Sequence, residues 1–301
     1  LMNGSGLRFG EAEARNADTL IALALAEDLA QVGDITCTAT IPSQARGTAR
    51  FVARAAGVLA GLSVAGRLAG HFQLDSQWRP HLIDGERLDR GSVIAEIAGP
   101  VRSILALERT ALNFLQRLSG IATLTARFVA AVEGTRAVIL DTRKTTPGWR
   151  VLEKYAVRCG GGHNHRMGLH DAVLIKDNHL AYLQSQSGPD AIAAAVAAAR
   201  AHAPRSAFIE VEVDSLEQLD RALRCDPDII LVDNLGPEAL AEAVRRRDAV
   251  APRIELEASG GVSLATVLDL ARTGVDRISV GALTHSAPAL DIALDLEMAP
   301  S

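Results

Sequence analysis

Short apolar runs that alternate with helix-like stretches constrain the fold of this chain more than any other feature. Five of six runs are followed at once by a polar or glycine residue; the six are Ala137–Leu140, Ala172–Ile175, Ala207–Val213, Ile229–Val232, Ile254–Glu257 and Arg277–Val280. Helix-like stretches lie between them, at 148–158, 188–202, 215–224, 237–248 and 263–272. Strands and helices that alternate in this way are typical of a parallel sheet with right-handed crossovers. Six such units within about 145 residues predict a β/α barrel, complete or partial.

The first part of the chain has a different pattern. A helix is expected near 16–31, a strand at 47–53, and a long helix from about Ser103 to Val132 that breaks near Ser119–Gly120. The β/α regularity begins only after that helix. We therefore predict an α/β protein with an N-terminal α+β domain at 1–120, joined by a tail at 285–301, and a catalytic barrel domain at 121–284.

Composition narrows the classes of function. Apolar residues make up 48% of the chain and aromatic residues only 3%, which suits buried parallel strands built from Ala, Val, Leu and Ile. A net charge of -5 argues against nucleic acid as a partner, so any anion site must be local. The three cysteines have no metal-binding spacing and predict reduced thiols and a cytoplasmic location. The apolar run at 20–26 is too short for a membrane span.

Basic residues concentrate around the first two units. The chain has three lysines against 28 arginines, and all three lysines fall within 33 consecutive residues. Basic and histidine side chains in this stretch are Arg143, Lys144, Arg150, Lys154, Arg158, His163, His165, Arg166, His170, Lys176 and His179. The alternative is a solvated basic face. Lys144 and Lys176, however, stand just beyond two strand runs, which in a β/α barrel is the mouth where catalytic groups gather. The cluster therefore favours an anion site.

Acidic residues alternate along two of the expected strands. Glu210 and Glu212 fall on one face of their strand, and Glu255 and Glu257 repeat the pattern on a later one. Inward carboxylates of this kind could pair with lysine or arginine in the barrel core. Glu212, and Asp233 on the strand between, lie closer to strand ends, where they could hold Mg²⁺ or sugar hydroxyls.

Two glycine-bearing strand ends predict a phosphate site. Ser259–Gly261 follows a strand and precedes a helix expected near Ser263, and Val280–Ala282 ends the next strand. Bare backbone amides and a helix N-terminus bind phosphate without a charged side chain. Together with the cations and carboxylates, they imply a carboxylated small molecule and a sugar phosphate as ligands.

Several motifs stand in order along nearly the whole chain. They are Glu27–Asp28 with Gly33–Thr36, Glu108–Leu115, Leu118–Thr123, Asp141–Pro147, Gly160–Arg166 with Gly168–Leu169, Ile175–His179, Glu210–Asp214 and Ala258–Gly261. This set resembles the quinolinate phosphoribosyltransferase family, also called carboxylating nicotinate-nucleotide pyrophosphorylase.

The resemblance implies an enzyme of NAD biosynthesis. It would transfer phosphoribosyl from phosphoribosyl pyrophosphate to quinolinate and release pyrophosphate, CO₂ and nicotinate mononucleotide. The residues implied to bind the two carboxylates and the ring are Arg109, Thr142, Arg143, Lys144, His165, Arg166 and Lys176. Glu212 and Asp233 would hold the ribose diol and Mg²⁺, directly or not, and Ser259, Gly260, Gly261, Val280, Gly281 and Ala282 would bind the 5-phosphate. Lys144, Lys176, Glu212 and Asp233 would be the catalytic set. Arg109 would come from the second subunit of a homodimer, assembled further or not.

Three alternatives remain open at this point. A paralogue of the family could share the motifs and use another acceptor. A barrel aldolase would use Lys176 as a Schiff base, and borohydride trapping with a carbonyl substrate would reveal it. A protein that only binds a sugar phosphate would show binding without turnover.

Overall fold

A computed structural model of the chain describes residues 7–187 and 191–298. These residues form two compact units: the first takes the chain up to Ala126, Thr145–Gly161 and the chain from Leu283, and the second takes Arg127–Lys144 and Gly162–Ala282. The domain limits expected from the sequence, at 120 and 284, stay a prediction. Residues 1–6 and 299–301 of the expected first domain and tail lie outside the described residues.

Helices and strands have the following bounds. The helices are α1 Glu11–Leu29, α2 Ile35–Thr40, α3 Leu62–His71, α4 Val101–Ala131, α5 Arg150–Cys159, α6 Asp177–Ser187, α7 Ala191–His202, α8 Leu216–Leu223, α9 Pro237–Val250, α10 Val267–Arg272 and α11 Ala282–His285. The strands are β1 Arg46–Ala53, β2 Gly57–Val58, β3 Trp78–Pro80, β4 Arg87–Leu88, β5 Val93–Pro100, β6 Val138–Leu140, β7 Val173–Ile175, β8 Ile209–Val213, β9 Ile229–Asp233, β10 Glu255–Ser259, β11 Arg277–Ser279 and β12 Ile292–Met298. No helix within the described ranges is both long enough and apolar enough to cross a membrane.

The first unit is built on an antiparallel sheet. Its strand order is β12-β1-β5-β3, and β12 from the end of the chain pairs with β1 over seven residues, from Gly47↔Met298 to Ala53↔Ile292. Alternate residues of β1, including Ala49 and Phe51, are fully buried because successive side chains of a strand point to opposite faces. Helices and an antiparallel sheet therefore form an α+β unit, as expected.

The long helix α4 does not break at Ser119–Gly120, and that expectation was wrong. The glycine is required by packing: a Cβ at Gly120 would collide with the main-chain oxygen of Pro288. Ser119 is fully buried, and its hydroxyl exchanges two hydrogen bonds with the main chain of Ala60, at 3.0 and 3.1 Å. Small residues here allow close approach of other backbone segments, so they do not end the helix.

The second unit is a parallel sheet of six strands in the order β6-β11-β10-β9-β8-β7. Since β6 and β7 are the edges, the arrangement is a partial β/α barrel, and the expected fold class is confirmed. All six expected strands are present. The helix expected at 188–202 begins at Ala191, and residues 188–190 lie outside the described residues.

Two helices of this unit differ from expectation. Helix α6 was not expected because its sequence is largely polar; among the residues of α6 whose burial is described, only Leu180 is buried. Helix α10 begins at Val267 instead of near Ser263 and has six residues. The intervening residues form a turn in which the amides of Thr266 and Val267 donate to the carbonyl of Ser263, at 3.1 and 2.9 Å.

Candidate anion-binding site at the carboxyl ends of the parallel strands

The register of the parallel sheet brings the expected acidic residues to one face. Glu210 is level with Ile229, Glu212 with Leu231, and Ser259 with Asp233. Level residues of neighbouring parallel strands point to the same side, and so do residues two apart on one strand. The polar residues on this face are therefore Glu210, Glu212, Asp233, Glu255, Glu257, Ser259, Arg277 and Ser279. The later members on each strand lie toward its carboxyl end.

Asp141, directly after β6, anchors the segment that carries two of the predicted ligands. Its carboxylate is fully buried and accepts from the amide of His165 at 2.9 Å and from the Asn164 side chain at 2.6 Å. His163 adds a parallel bridge to Leu140, with its amide 2.8 Å from the carbonyl of Ile139. This segment is thus fixed as an extra edge beside β6, which positions His165 and the residue after it.

Arg166 and Arg143 form a pair of cations. Arg166 is only 8% exposed, and its guanidinium donates to the carbonyl of Ala172 at 3.1 Å. Burial first, and then the nearby charge of Arg143, lower the pKa of Arg166. Arg143 is exposed, and within the described residues neither arginine has a carboxylate at ion-pair distance. Two neighbouring guanidiniums without a carboxylate partner are suited to an anion with more than one carboxylate.

His165 lies in a buried cluster with two carboxylates. Its Nε2 is 2.9 Å from Glu210 and 3.5 Å from Glu257, and its Nδ1 accepts from the Arg166 amide at 2.7 Å. Burial alone would lower the pKa of His165, but the hydrogen bond to Glu210 and the charge of Glu257 outweigh it and raise that pKa. Both ring nitrogens are therefore engaged within the protein, and the assignment of His165 to substrate binding stays a prediction.

The same cluster explains the inward glutamates. Arg277 donates from Nε to Glu257 at 2.8 Å and from Nη1 to the exposed Glu255 at 3.2 Å. Burial, and next the charge of Glu210, raise the pKa of Glu257. Ligating atoms of His165, Glu210 and Glu257 lie within 4.8 Å of one another, so they could hold a metal ion. Because Arg277 and His165 already face these carboxylates, we interpret the group as a charge-compensated part of the barrel core.

Lys176 and Glu212 form an ion pair where β7 and β8 end. The Lys176 side chain is 43% exposed and that of Glu212 is 15% exposed. The main-chain amide of Lys176 donates to Nδ1 of His179 at 3.0 Å, which fixes the turn into α6. A compact ammonium beside a carboxylate at strand ends is the arrangement expected for the mouth of the barrel.

Asp233 is the last residue of β9 and is half-buried. Glu212 lies on β8, the strand next to β9. Its Oδ2 accepts from the side-chain amide of the next residue, Asn234, at 2.7 Å. The carboxylates of Glu212 and Asp233 are on the same face of adjacent strands and supply the oxygen ligands that Mg²⁺ prefers. This pair fits a divalent cation by the chemistry of its donors.

The glycine loop after β10 keeps its main chain bare. Gly260 and Gly261 have φ of +96° and +58°, a region that favours glycine. Since α10 begins only at Val267, the expected contribution from a helix N-terminus is not supported, and a phosphate here would rely on loop amides. Val280 directly follows β11, the strand next to β10. It is buried, and its amide donates to the carbonyl of Leu140 at 2.8 Å. Gly281 and Ala282 are half-buried.

The remaining predicted residues are distributed as follows. Thr142 is half-buried, and its hydroxyl accepts from the amide of the exposed Lys144 at 3.1 Å. Arg109 is an exposed residue of α4 in the first unit. Lys154 is fully buried on α5, also in the first unit, and Arg158 of the same helix pairs with Glu13 at 2.7 Å. Lys154 is therefore not part of an exposed basic surface.

Sequence reasoning missed three residues that hold the site together: Asp141, Asn164 and Asn234. Each stands inside or next to a motif already noted. Their signal was a polar side chain directly after an apolar strand or beside a predicted ligand. What identifies them is contact with distant segments: Asn164 contacts the Asp141 side chain, and Asp141 and Asn234 contact main-chain atoms.

The fold and the site define a class: an α/β enzyme that gathers guanidiniums, an ammonium–carboxylate pair and a glycine loop at strand ends, as suits anionic, phosphorylated small molecules. Comparisons with known proteins narrow that class. Family models described as quinolinate phosphoribosyl transferase, N-terminal domain and C-terminal domain, match residues 34–119 and 121–295.

Similar proteins cover most of the chain. The nicotinate-nucleotide pyrophosphorylase (carboxylating) of Mycobacterium leprae is 48% identical over 275 residues, which are 91% of this chain and 94% of that one. Quinolinate phosphoribosyltransferase (decarboxylating) 1 of Nicotiana glauca is 39% identical, over 92% of this chain and 81% of that one. The crystal structure of NadC from Streptococcus pyogenes superposes with a TM-score of 0.86 at 40% identity, covering 95% of this chain and 98% of that one. This chain belongs to the quinolinate phosphoribosyltransferase family.

Proposed function

We propose that this enzyme transfers phosphoribosyl from phosphoribosyl pyrophosphate to the ring nitrogen of quinolinate and removes the adjacent carboxylate as CO₂. The observation that carries this proposal is the pair Arg143 and Arg166: the charge of Arg143 is close enough to lower the pKa of Arg166, and within the described residues neither guanidinium has a carboxylate at ion-pair distance. Quinolinate supplies two adjacent carboxylates, and each suits a bidentate guanidinium. Similar proteins, such as the quinolinate phosphoribosyltransferase of Nicotiana glauca, support the same reaction.

The acceptor would be held by cations on two sides. Arg143 and Arg166 bind its carboxylates, and Lys176 lies beside Glu212 where β7 and β8 end. Thr142 and Lys144 follow β6 and contribute donors from the same end of the sheet. His165 would join them after exchanging one of its present hydrogen bonds. Fixing the ring in this way orients its nitrogen toward the sugar, and such positioning removes part of the entropic barrier.

The sugar phosphate would occupy the neighbouring strand ends. Asp233 and Glu212 bind the ribose diol and an Mg²⁺ ion, directly or through water, because their carboxylates are the hard oxygen ligands this ion prefers. When bound, Mg²⁺ neutralises charge on the departing pyrophosphate. The 5-phosphate would lie against the main chain of Ser259–Gly261 and of Val280–Ala282, where the Val280 amide itself already donates to the carbonyl of Leu140. Removal of divalent cations by a chelator is expected to stop pyrophosphate release, and added Mg²⁺ is expected to restore it.

The reaction balances in two steps, each of which forms one bond and breaks one. The ring nitrogen forms a bond to C1 of the ribose, and pyrophosphate leaves with the electron pair of the broken C1–oxygen bond. The product nitrogen is positively charged and stabilises the carbanion left at C2 when that carboxylate leaves as CO₂. A proton then replaces it at C2. We infer that the basic side chains orient these steps and do not attack the substrate.

We also propose a cytoplasmic homodimer in which Arg109 of one subunit reaches the site of the other. Its support is the exposure of Arg109 on α4 and the three free thiols, Cys37, Cys159 and Cys225. Mixing an inactive Arg109→Ala chain with an inactive Lys176→Ala chain would test this arrangement. Restored activity in the mixed dimer is expected, since one of its two sites would then be intact.

A labelled substrate tests the proposed reaction. The enzyme is incubated with Mg²⁺, phosphoribosyl pyrophosphate and quinolinate labelled in the C2 carboxyl group. Equal amounts of labelled CO₂ and nicotinate mononucleotide are expected. If pyrophosphate forms only with another acid, the acceptor is wrong; if it forms with none, the transferase reaction is wrong. A product trapped by borohydride on Lys176 would instead favour an aldolase.

A further inference from the structure

Asn234 connects the two parts of the site that would bind opposite ends of a sugar phosphate. We propose that it is a positioning residue, which sets the Asp233 carboxylate and the Ser259–Gly261 loop in a fixed relation. This inference rests on the proposed function, because it assigns Asp233 to the ribose end and the loop to the phosphate end. Asn234 itself need not touch the substrate.

Three contacts place Asn234 between these groups. Its side-chain Nδ2 donates to Oδ2 of Asp233 at 2.7 Å. Its main-chain amide donates to the carbonyl of Ser259 at 2.9 Å. Its Oδ1 occupies the space in which a Cβ at Gly260 would have to lie. One residue therefore contacts the carboxylate, the start of the loop and its first glycine.

The backbone of Asn234 explains why this residue type stands here. Its φ is +57°, in the left-handed region that asparagine, aspartate and glycine adopt more readily than other residues. Glycine would keep the turn but lose both side-chain contacts. Aspartate would keep the shape but place a second carboxylate against Asp233. Only the amide combines the turn with a donor for the carboxylate.

The sheet makes this connection direct. In the parallel pair of β9 and β10, Asp233 is level with Ser259. The segments that follow the two strands therefore leave the sheet side by side. The Asp233–Asn234 turn and the glycine loop then diverge from neighbouring points. Without a cross-link at this position, carboxylate and loop would each have to be ordered when the ligand binds, and that ordering reduces affinity.

Asn234→Gly is the test variant, and Asp226→Gly is its matched control. Asp226 also has φ of +57° and precedes β9 at its other end, so both variants remove a side chain from a left-handed residue beside the same strand. Asn234→Gly is expected to raise the dissociation constant of phosphoribosyl pyrophosphate by about tenfold, the size expected for one lost hydrogen bond to a charged group. The KM for quinolinate is expected to stay within about twofold, and Asp226→Gly is expected to change neither.

Binding is measured by calorimetry with Mg²⁺ and phthalate present, because phthalate has two adjacent carboxylates but no ring nitrogen to react. Thermal unfolding of both variants is measured in parallel. Unchanged binding of phosphoribosyl pyrophosphate by Asn234→Gly would overturn the proposal, and so would equal losses for both substrates together with a lower Tm than the control. If the wild-type enzyme binds the sugar phosphate but makes no mononucleotide, the proposed reaction fails while Asn234 is still tested. If it does not bind the sugar phosphate, both fail.

Discussion

Arg143→Ala separates recognition of the acceptor from stability of the fold. Arg143 is exposed and has no ion-pair partner within the described residues, so its loss is expected to change the free energy of unfolding by no more than about 0.5 kcal/mol. A hydrogen bond to a charged group contributes about 1.5–3 kcal/mol. If Arg143 holds one carboxylate, kcat/KM for quinolinate falls roughly 10- to 150-fold. If Arg143 binds the carboxylate in both the ground state and the transition state, its loss raises KM more than it lowers kcat.

The assay is steady-state release of pyrophosphate at varied quinolinate and saturating phosphoribosyl pyrophosphate. Arg221→Ala is the control, since Arg221 is also an exposed arginine of the second unit but lies in the last turn of α8, which leads to the amino end of β9. Urea unfolding is measured for both variants. A kcat/KM for Arg143→Ala within twofold of wild type, or a loss matched by the control, would refute the assignment.

Three further predictions concern the fold and its charges. Gly120→Ala is expected to destabilise the protein by about 1–3 kcal/mol in urea unfolding despite a better helix propensity, because its Cβ meets the main chain of Pro288; an unchanged midpoint would contradict the packing argument. Arg247→Ala is expected to cost about 3 kcal/mol in the same assay, because it removes a fully buried side chain and leaves Asp276, whose Oδ2 lies 2.6 Å from Arg247, with only the exposed Arg136 as ion-pair partner among the described residues; a loss below about 1 kcal/mol would argue against this pair. The raised pKa of Glu257 means that the folded state holds its proton more tightly than the unfolded state does, so this group's contribution to stability decreases as pH rises through that titration. Glu257→Gln is therefore expected to weaken the decrease of the unfolding free energy as pH rises above 4.5, the ordinary pKa of a glutamate, and an unchanged slope would count against it.

Much of the parallel sheet could be predicted because its signal is local. Most of these strands are short, largely apolar runs, and each ends in a polar residue or is followed at once by one, as in Val138–Leu140 before Asp141 and in Ile229–Asp233. Alternation also placed Glu210 and Glu212 on one face before any register was known. Both features are set by the residues within a single strand, one side of which faces a core.

What could not be predicted depends on distant partners. Gly120 was interpreted as a break in a helix, although it serves close approach to Pro288, far along the chain. Asn234 was passed over because its contacts to Ser259 and Gly260 exist only once β9 and β10 pair. The engagement of His165 with Glu257 likewise needs the sheet to be formed. Sequence spacing carries no information on such contacts.

The clearest measurement of the central claim compares two acceptors. Quinolinate and nicotinate share the ring and one carboxylate, and only quinolinate carries the second carboxylate next to the nitrogen. If the neighbouring guanidiniums of Arg143 and Arg166 recognise a dicarboxylate, kcat/KM for pyrophosphate release is expected to be roughly 100-fold or more in favour of quinolinate, about the value of one charged pair. Equal or better turnover of nicotinate would contradict the account.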